Sequence, residues 1–148
     1  MTNFDLEKYK KLTEGYNNET LSKEEVLELY RYQNFIVSQA QYDHRLEYKN
    51  LLIQFLEKKI DVIDFARQFM KFDDKVTEIA EGFLRDFEFL KSFQMNLNSK
   101  NFGDLIFEIY EICFAICDEG EFFDESNEAS PRLYDLIQER FLQLEKID

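Results

Sequence analysis

Three groups of residues in this 148-residue chain have types and spacing that could do chemistry: the single histidine His44, the pair Cys113 and Cys117, and a carboxylate-rich stretch over 118–128. His44 has no serine or cysteine near it in sequence with which to form a nucleophile pair. On its amphipathic segment a lone histidine is expected at the surface or the core boundary, not as a general base. Cys113 and Cys117 stand one helical turn apart, close enough to share a metal, but a zinc site asks for two more ligands and His44 alone does not complete the set. Both fall on the apolar stripe of their segment, so core packing is expected of them. The run Asp118, Glu119, Gly120, Glu121, Phe122, Phe123, Asp124, Glu125 is dense in oxygen ligands. Counted as a calcium loop, however, it puts Gly120 at the third ligand position, Phe123 where the turn glycine belongs and Ala129 where the bidentate glutamate belongs. Phosphate-cradling glycine loops are absent, and carboxylates on amphipathic segments give no glycosidase pair. The expectation is a protein without catalytic residues, metal or cofactor.

A charge asymmetry remains. Between Asn101 and Pro131 lie Asp104, Glu108, Glu111, Asp118, Glu119, Glu121, Asp124, Glu125 and Glu128, with no lysine or arginine among them. Asp104, Glu108, Glu111 and Asp118 follow helical spacing, which places them on one face and turns Leu105, Ile109, Cys113 and Ile116 away. Like charges at this spacing each cost an isolated helix about 0.2 to 0.5 kcal/mol. Two readings stay open: a solvated face of an acidic protein, or a surface that meets a basic partner. Phe122 and Phe123 are then either aromatic anchors within an acidic rim or pins that hold the loop to the core.

The elements that must carry these residues read as helices throughout. Glycine and proline occur only at Gly15, Gly82, Gly103, Gly120 and Pro131, and apolar residues recur at three- and four-residue spacing instead of alternating. A first helix is expected over 3–12, then a loop over 13–20. Ser22 and Glu25 form a capping box for a helix reaching about 41. Tyr48, Leu51, Leu52, Phe55 and Leu56 share one face of the next helix, and Asp61 caps another carrying Ile63, Phe65, Ala66, Phe69 and Met70. A separate helix is expected to start at Asp73 or Asp74 and run through Leu90, with Gly82 inside it admitting a close neighbour. The polar segment 96–101 breaks the pattern. A helix from Phe102 to about Asp118 and a last one opened by Ser130 and Pro131 complete the chain. The fold class is all-α, a single-domain antiparallel bundle of about five to seven helices over 1–148, with strand content near zero.

Composition narrows the partners. Thirty-one acidic against 18 basic residues give a net charge of −13, which repels nucleic-acid backbones and anionic membranes and attracts a basic protein. Two cysteines and no leader-like N-terminus suggest a reducing interior, the cytoplasm or the interior of an organelle for an organelle-encoded chain. No apolar run is long enough to span a bilayer.

The segment LLIQFLEKKIDVIDFARQF, with Leu51, Leu52, Phe55, Leu56, Ile60, Phe65 and Phe69, resembles the core pattern of the bacterial self-protective, colicin D-type immunity proteins. The later segment LIFEIYEICFAICDE, its loop EGEFFDES and the final helix with Leu133, Tyr134, Ile137 and Phe141 are similar to that family's second half. The resemblance covers residues 48–145 and leaves 1–47 as an N-terminal helical extension. It implies a non-catalytic helical protein, monomeric when free, that blocks the active site of a basic tRNA-cleaving toxin by letting carboxylates stand in for tRNA phosphates. Carried onto this chain, the partner-binding role falls to Asp104, Glu108, Glu111, Asp118, Glu119, Glu121, Asp124 and Glu125, with Phe122 and Phe123 beside them. The alternative is an acidic helical adaptor or assembly subunit that docks on a basic protein surface without any toxin.

Overall fold

Local chemistry sets where the helices begin. In the computed structural model, which describes residues 2–123 and 128–147, side-chain oxygens cap six of the seven described helices. Asp5 accepts from the Lys8 N–H ahead of α1 (Leu6–Asn17), and Ser22 with Glu25 forms the reciprocal capping box of α2 (Lys23–Asp43). The uncapped helix is α3 (Arg45–Leu56), which follows α2 with only His44 between them. Asp61 opens α4 (Val62–Glu81), Asp86 the one-turn α5 (Phe87–Leu90), Asn96 α6 (Leu97–Glu119) and Ser130, with Pro131 at the first position, α7 (Pro131–Glu145). The only strands among the described residues are β1 (Thr2–Asn3) and β2 (Gln94–Met95), paired antiparallel with Thr2 opposite Met95. The chain is therefore all-α and a single domain.

Several sequence expectations change. The helix expected over 3–12 starts later and runs to Asn17, through what reads as a polar loop. Thr13 bonds back to the Tyr9 carbonyl at 2.9 Å inside that helix, and a Cβ on Gly15 would run into the Leu21 side chain. Gly15 is thus a packing position and not a turn. No helix starts at Asp73 or Asp74, since α4 is continuous across both. Gly82 lies at the C-cap of α4 with φ −62°, and a Cβ there would meet only the Ile79 carbonyl oxygen, at 3.2 Å. No neighbouring helix accounts for it. The segment 96–101 does not break a helix either: Asn96 caps α6, and the residues after it are already helical.

α6 is the centre of the packing, with α2, α4 and α7 laid against it. Its inward stripe of Phe102, Ile106, Ile109, Cys113 and Ile116 is fully buried among Tyr48, Leu52 and Phe55 of α3, Phe65, Phe69 and Val76 of α4, and Leu133 and Ile137 of α7. Phe55 stacks between Phe65, at 4.4 Å, and Tyr134, at 4.7 Å, so one ring joins α3, α4 and α7. A second apolar cluster gathers Tyr9, Leu12, Leu29, Tyr32, Phe35 and Ile36 with Leu90 and Met95. α2 reaches both clusters, since its Ala40 belongs to the first.

The glycine that admits a close neighbour is Gly103. A Cβ there would lie 2.7 Å from Ser38 Cβ and 2.8 Å from Gln41 Oε1, both on α2. Gly103→Ala is expected to lower stability by about 1 to 3 kcal/mol through overpacking, whereas Gly82→Ala should stay within about 0.5 kcal/mol of wild type. Chemical denaturation of the two variants checks the contrast, and equal effects would mean that α2 and α6 do not depend on this contact.

Candidate functional site

The outward face of α6 carries the acidic row. Asp104, Glu108, Glu111, Asp118 and Glu119 are all exposed, while Ile109, Cys113 and Ile116 point into the core and Leu105 is half-buried. At Gly120 the backbone turns left-handed, with φ 64°, and Glu121 follows, also exposed. Two large apolar side chains share this face. Phe107 is 61% exposed and Phe114 48% exposed, three residues beyond Asp104 and Glu111 respectively. The sequence reading passed over both, although their i+3 spacing from the acids was a sufficient signal that they leave the apolar stripe.

Phe122 and Phe123 take a different place from those two rings. Both are half-buried and packed against the main core. Phe122 has φ 69°, and its carbonyl accepts from the Ser130 N–H at 2.7 Å, while Phe123 pairs with Ala129 in an isolated antiparallel bridge. The two rings hold the stem of the loop to the bundle, and the Arg132 guanidinium sits 5.6 Å from the Phe122 ring centre. Asp124 and Glu125 lie outside the described residues.

The fold also brings cations to a row that looks bare in the sequence. Lys100 Nζ lies 2.7 Å from Asp104 Oδ1, one turn earlier on the same helix. Arg140 of α7 reaches across to Glu108, with Nε 3.4 Å from Oε2, in a geometry that leaves the buried Nε without a hydrogen bond among the described residues. Beside it is a shallow cleft of about 390 Å³ walled by Glu108, Glu111, Ala115, Glu121, Phe122 and Arg140. Carboxylate crowding shows at the helix end, where the neighbouring Glu121, hydrogen-bonded to Glu119, pushes the Glu119 carboxyl above its ordinary range.

No family model, curated protein or solved structure matches this chain. What it can do is therefore read from its own side chains. Among the described residues no three His, Cys, Asp or Glu side chains converge as metal ligands, and no helix is long and apolar enough to cross a membrane. His44 sits half-buried at the α2–α3 junction, its Nδ1 2.8 Å from the Ala40 carbonyl. Cys113 is fully buried, and burial pushes its thiol well above the usual range, which leaves it unreactive. Cys117 is exposed, contrary to the expectation that both cysteines pack in the core: the inward stripe of α6 continues from Cys113 to Ile116, and Cys117 falls beside it.

A second polar feature was invisible in the sequence. Asp73, 7% exposed in the middle of α4, accepts from Gln41 Nε2 at 2.9 Å and from the Tyr48 hydroxyl at 2.6 Å, both on Oδ1. Burial raises its carboxyl above the ordinary carboxylate range, offset in part by those two hydrogen bonds. Burial and the adjacent Asp73 likewise raise the Tyr48 phenol. The neighbouring Asp74 accepts from the Tyr110 hydroxyl at 2.9 Å, and this bond is the main reason that the Tyr110 phenol is pushed up to about 12.

A raised carboxyl destabilises the fold wherever the group is ionised. Its stability is fully present below the unfolded value of about 3.9 and is lost as pH rises through the folded value. Asp73→Asn keeps an acceptor for Gln41 and Tyr48 without the charge. It is expected to unfold at higher temperature than wild type at pH 7, with the gain vanishing near pH 4. Tyr48→Phe, which removes a hydrogen bond to a charged group, should cost about 1.5 to 3 kcal/mol at pH 7. Thermal unfolding across pH checks both, and a constant offset for Asp73→Asn would show that ionisation of Asp73 is not the cause.

Proposed function

We propose that this chain is a non-catalytic binding protein that covers a basic protein surface with the outward face of α6 and the turn that follows it. The partner proposed is the catalytic domain of a tRNA-cleaving toxin, as the resemblance to colicin D-type immunity proteins implies. The observation that carries the reading is the sharing of one exposed face by a row of carboxylates and two exposed phenylalanines. Carboxylates at helical spacing offer a basic, phosphate-binding groove a row of fixed negative charges, and the net charge of −13 steers such a groove toward them. Phe107 and Phe114 supply the apolar contact area that charge alone lacks, since aromatic anchors ringed by polar residues account for most of the energy of typical interfaces. Occupying the groove excludes tRNA without any chemical step.

The test is inhibition and binding with a colicin D-type ribonuclease domain and with the product of any nuclease reading frame beside this gene. Wild type at equimolar concentration is expected to stop tRNA cleavage, with affinity falling as salt rises. A variant carrying Glu111→Ser, Asp118→Ser, Glu119→Ser and Glu121→Ser should bind about tenfold or more weakly, mostly through slower association. Glu108 is kept, because it pairs with Arg140 and so ties α6 to α7. Binding that ignores salt, or that the four substitutions leave unchanged, would sink the proposal.

A further inference from the structure

Between α2, α4 and α6 lies a partly enclosed cleft of about 290 Å³ that shares two residues with the acidic face, Asp104 and Phe107. Its floor is unusual in chemistry. Ser38 and Gln41, each 5% exposed, and Asp73, 7% exposed, all line it. Ser38 Oγ has no hydrogen-bond partner among the described residues. Gln41 donates through Nε2, which leaves Oε1 unused, and Asp73 takes both of its hydrogen bonds on Oδ1, which leaves Oδ2 unused. Gly103 brings these groups together: Ser38 Oγ and Gln41 Oε1 both crowd the point where its Cβ would stand. No lysine, arginine or histidine forms an ion pair with Asp73 among the described residues.

We infer that this cleft is a receptor for a guanidinium group, specifically an arginine side chain presented by the protein partner. Three unpartnered oxygens on side chains more than nine-tenths buried, one of them a carboxylate, ask for a ligand that is all donor and positively charged. Arginine carries five N–H donors in a planar fork and can meet several oxygens at once, whereas a lysine ammonium is a compact point charge that sheds hydration less readily. The exposed Phe107 at the mouth offers a ring face against which the cation can lie, beside Asp104, whose charge Lys100 already answers. Water could satisfy the same oxygens singly, but it leaves the buried carboxylate without a counter-charge. The inference rests on the proposed function only for the source of the arginine.

The probe is N-acetyl-arginine-N-methylamide, titrated into the full chain and followed by the backbone amide resonances of Gln41, Asp73, Thr77 and Gly103. The lysine and norleucine analogues serve as comparisons. Saturable one-to-one binding in about the millimolar range is expected for arginine, weaker for lysine and none for norleucine. Asp73→Asn, which keeps the acceptor for Gln41 and Tyr48, should weaken it at least tenfold, while the four-residue acidic-face variant should leave it within about twofold. Equal binding by norleucine, unchanged binding by Asp73→Asn, or shifts confined to Glu111 through Glu121 would overturn the inference. With the ribonuclease domain, Asp73→Asn is expected to dissociate about tenfold faster with little change in association. A complex as long-lived as that of wild type would reject the arginine cleft and leave the acidic-face reading standing. Arginine binding with no nuclease binding would keep the cleft and reject the nuclease as the source.

Discussion

The close approach of α2 and α6 is the constraint on which the rest of the molecule depends. Gly103 has no side chain, and Ser38 and Gln41 occupy the space one would fill. One turn earlier, the Ser99 hydroxyl donates to Gln39 Oε1 at 2.9 Å, so a steric fit at Gly103 and a hydrogen bond at Ser99 together fix the register of the pair. α2 is also the element that reaches both apolar clusters, which makes its seat on α6 the link between the N-terminal cluster and the main core. The polar groups at this seat add little net stability, since a typical intramolecular hydrogen bond contributes only about 0.5 to 1.5 kcal/mol, but leaving one unmade when buried costs about 1 to 3. They select one packing arrangement over its neighbours.

The same helix tolerates the acidic row because its other face is so well buried. Burying each of Phe102, Ile106, Ile109 and Ile116 contributes roughly 1.5 to 3 kcal/mol, against about 0.2 to 0.5 for each like-charge pair on the outside. Lys100, one turn earlier on α6, and Arg140 of α7 reduce the repulsion at Asp104 and Glu108, the first two carboxylates of the row. From Glu111 to Glu121 no ion pair relieves the remaining described carboxylates. Folding neither requires nor forbids that stretch of charge, which leaves it open to be shaped by what it meets.

Helix starts were legible in the sequence because capping is local: Ser22, Asp61 and Ser130 each find their backbone partner three residues on, and all three read correctly. Asp73 and Asp74 imitate the same signal and misled for the same reason. Their partners are tertiary, with Gln41 32 residues away, Tyr48 25 and, for Asp74, Tyr110 36. Glycine was ambiguous in the same way. Gly82 and Gly103 both sit in apolar-periodic stretches, and only the neighbouring helix tells which one is packed. The acidic face itself was visible as spacing, but its aromatic members were not assigned to it. Phe122 and Phe123, adjacent to acids in sequence, are tied to the core, while Phe107 and Phe114 look like members of an apolar helix and are turned out by α6's own period. The cleft over Asp73 had no sequence signature at all, since it is built from three helices at a point marked only by a missing side chain.

A surface field and a buried cation receptor would do different work, and their overlap at Asp104 and Phe107 gives the proposed interface an order of events. Exposed carboxylates act over roughly a Debye length, about 8 Å at physiological salt, and so govern how often a basic partner arrives in register. A carboxylate that is 7% exposed is shielded from salt and acts only on a group already seated beside it, so it governs how long the partner stays. Ionising Asp73 raises the energy of the free protein, because burial disfavours its charge and no cation pairs with it among the described residues. An arriving guanidinium removes that cost at the moment of docking. Part of the binding free energy would then come from relief of a strain already present in the unbound fold, which is a reason for a sequence to keep aspartate where asparagine would make the more stable monomer.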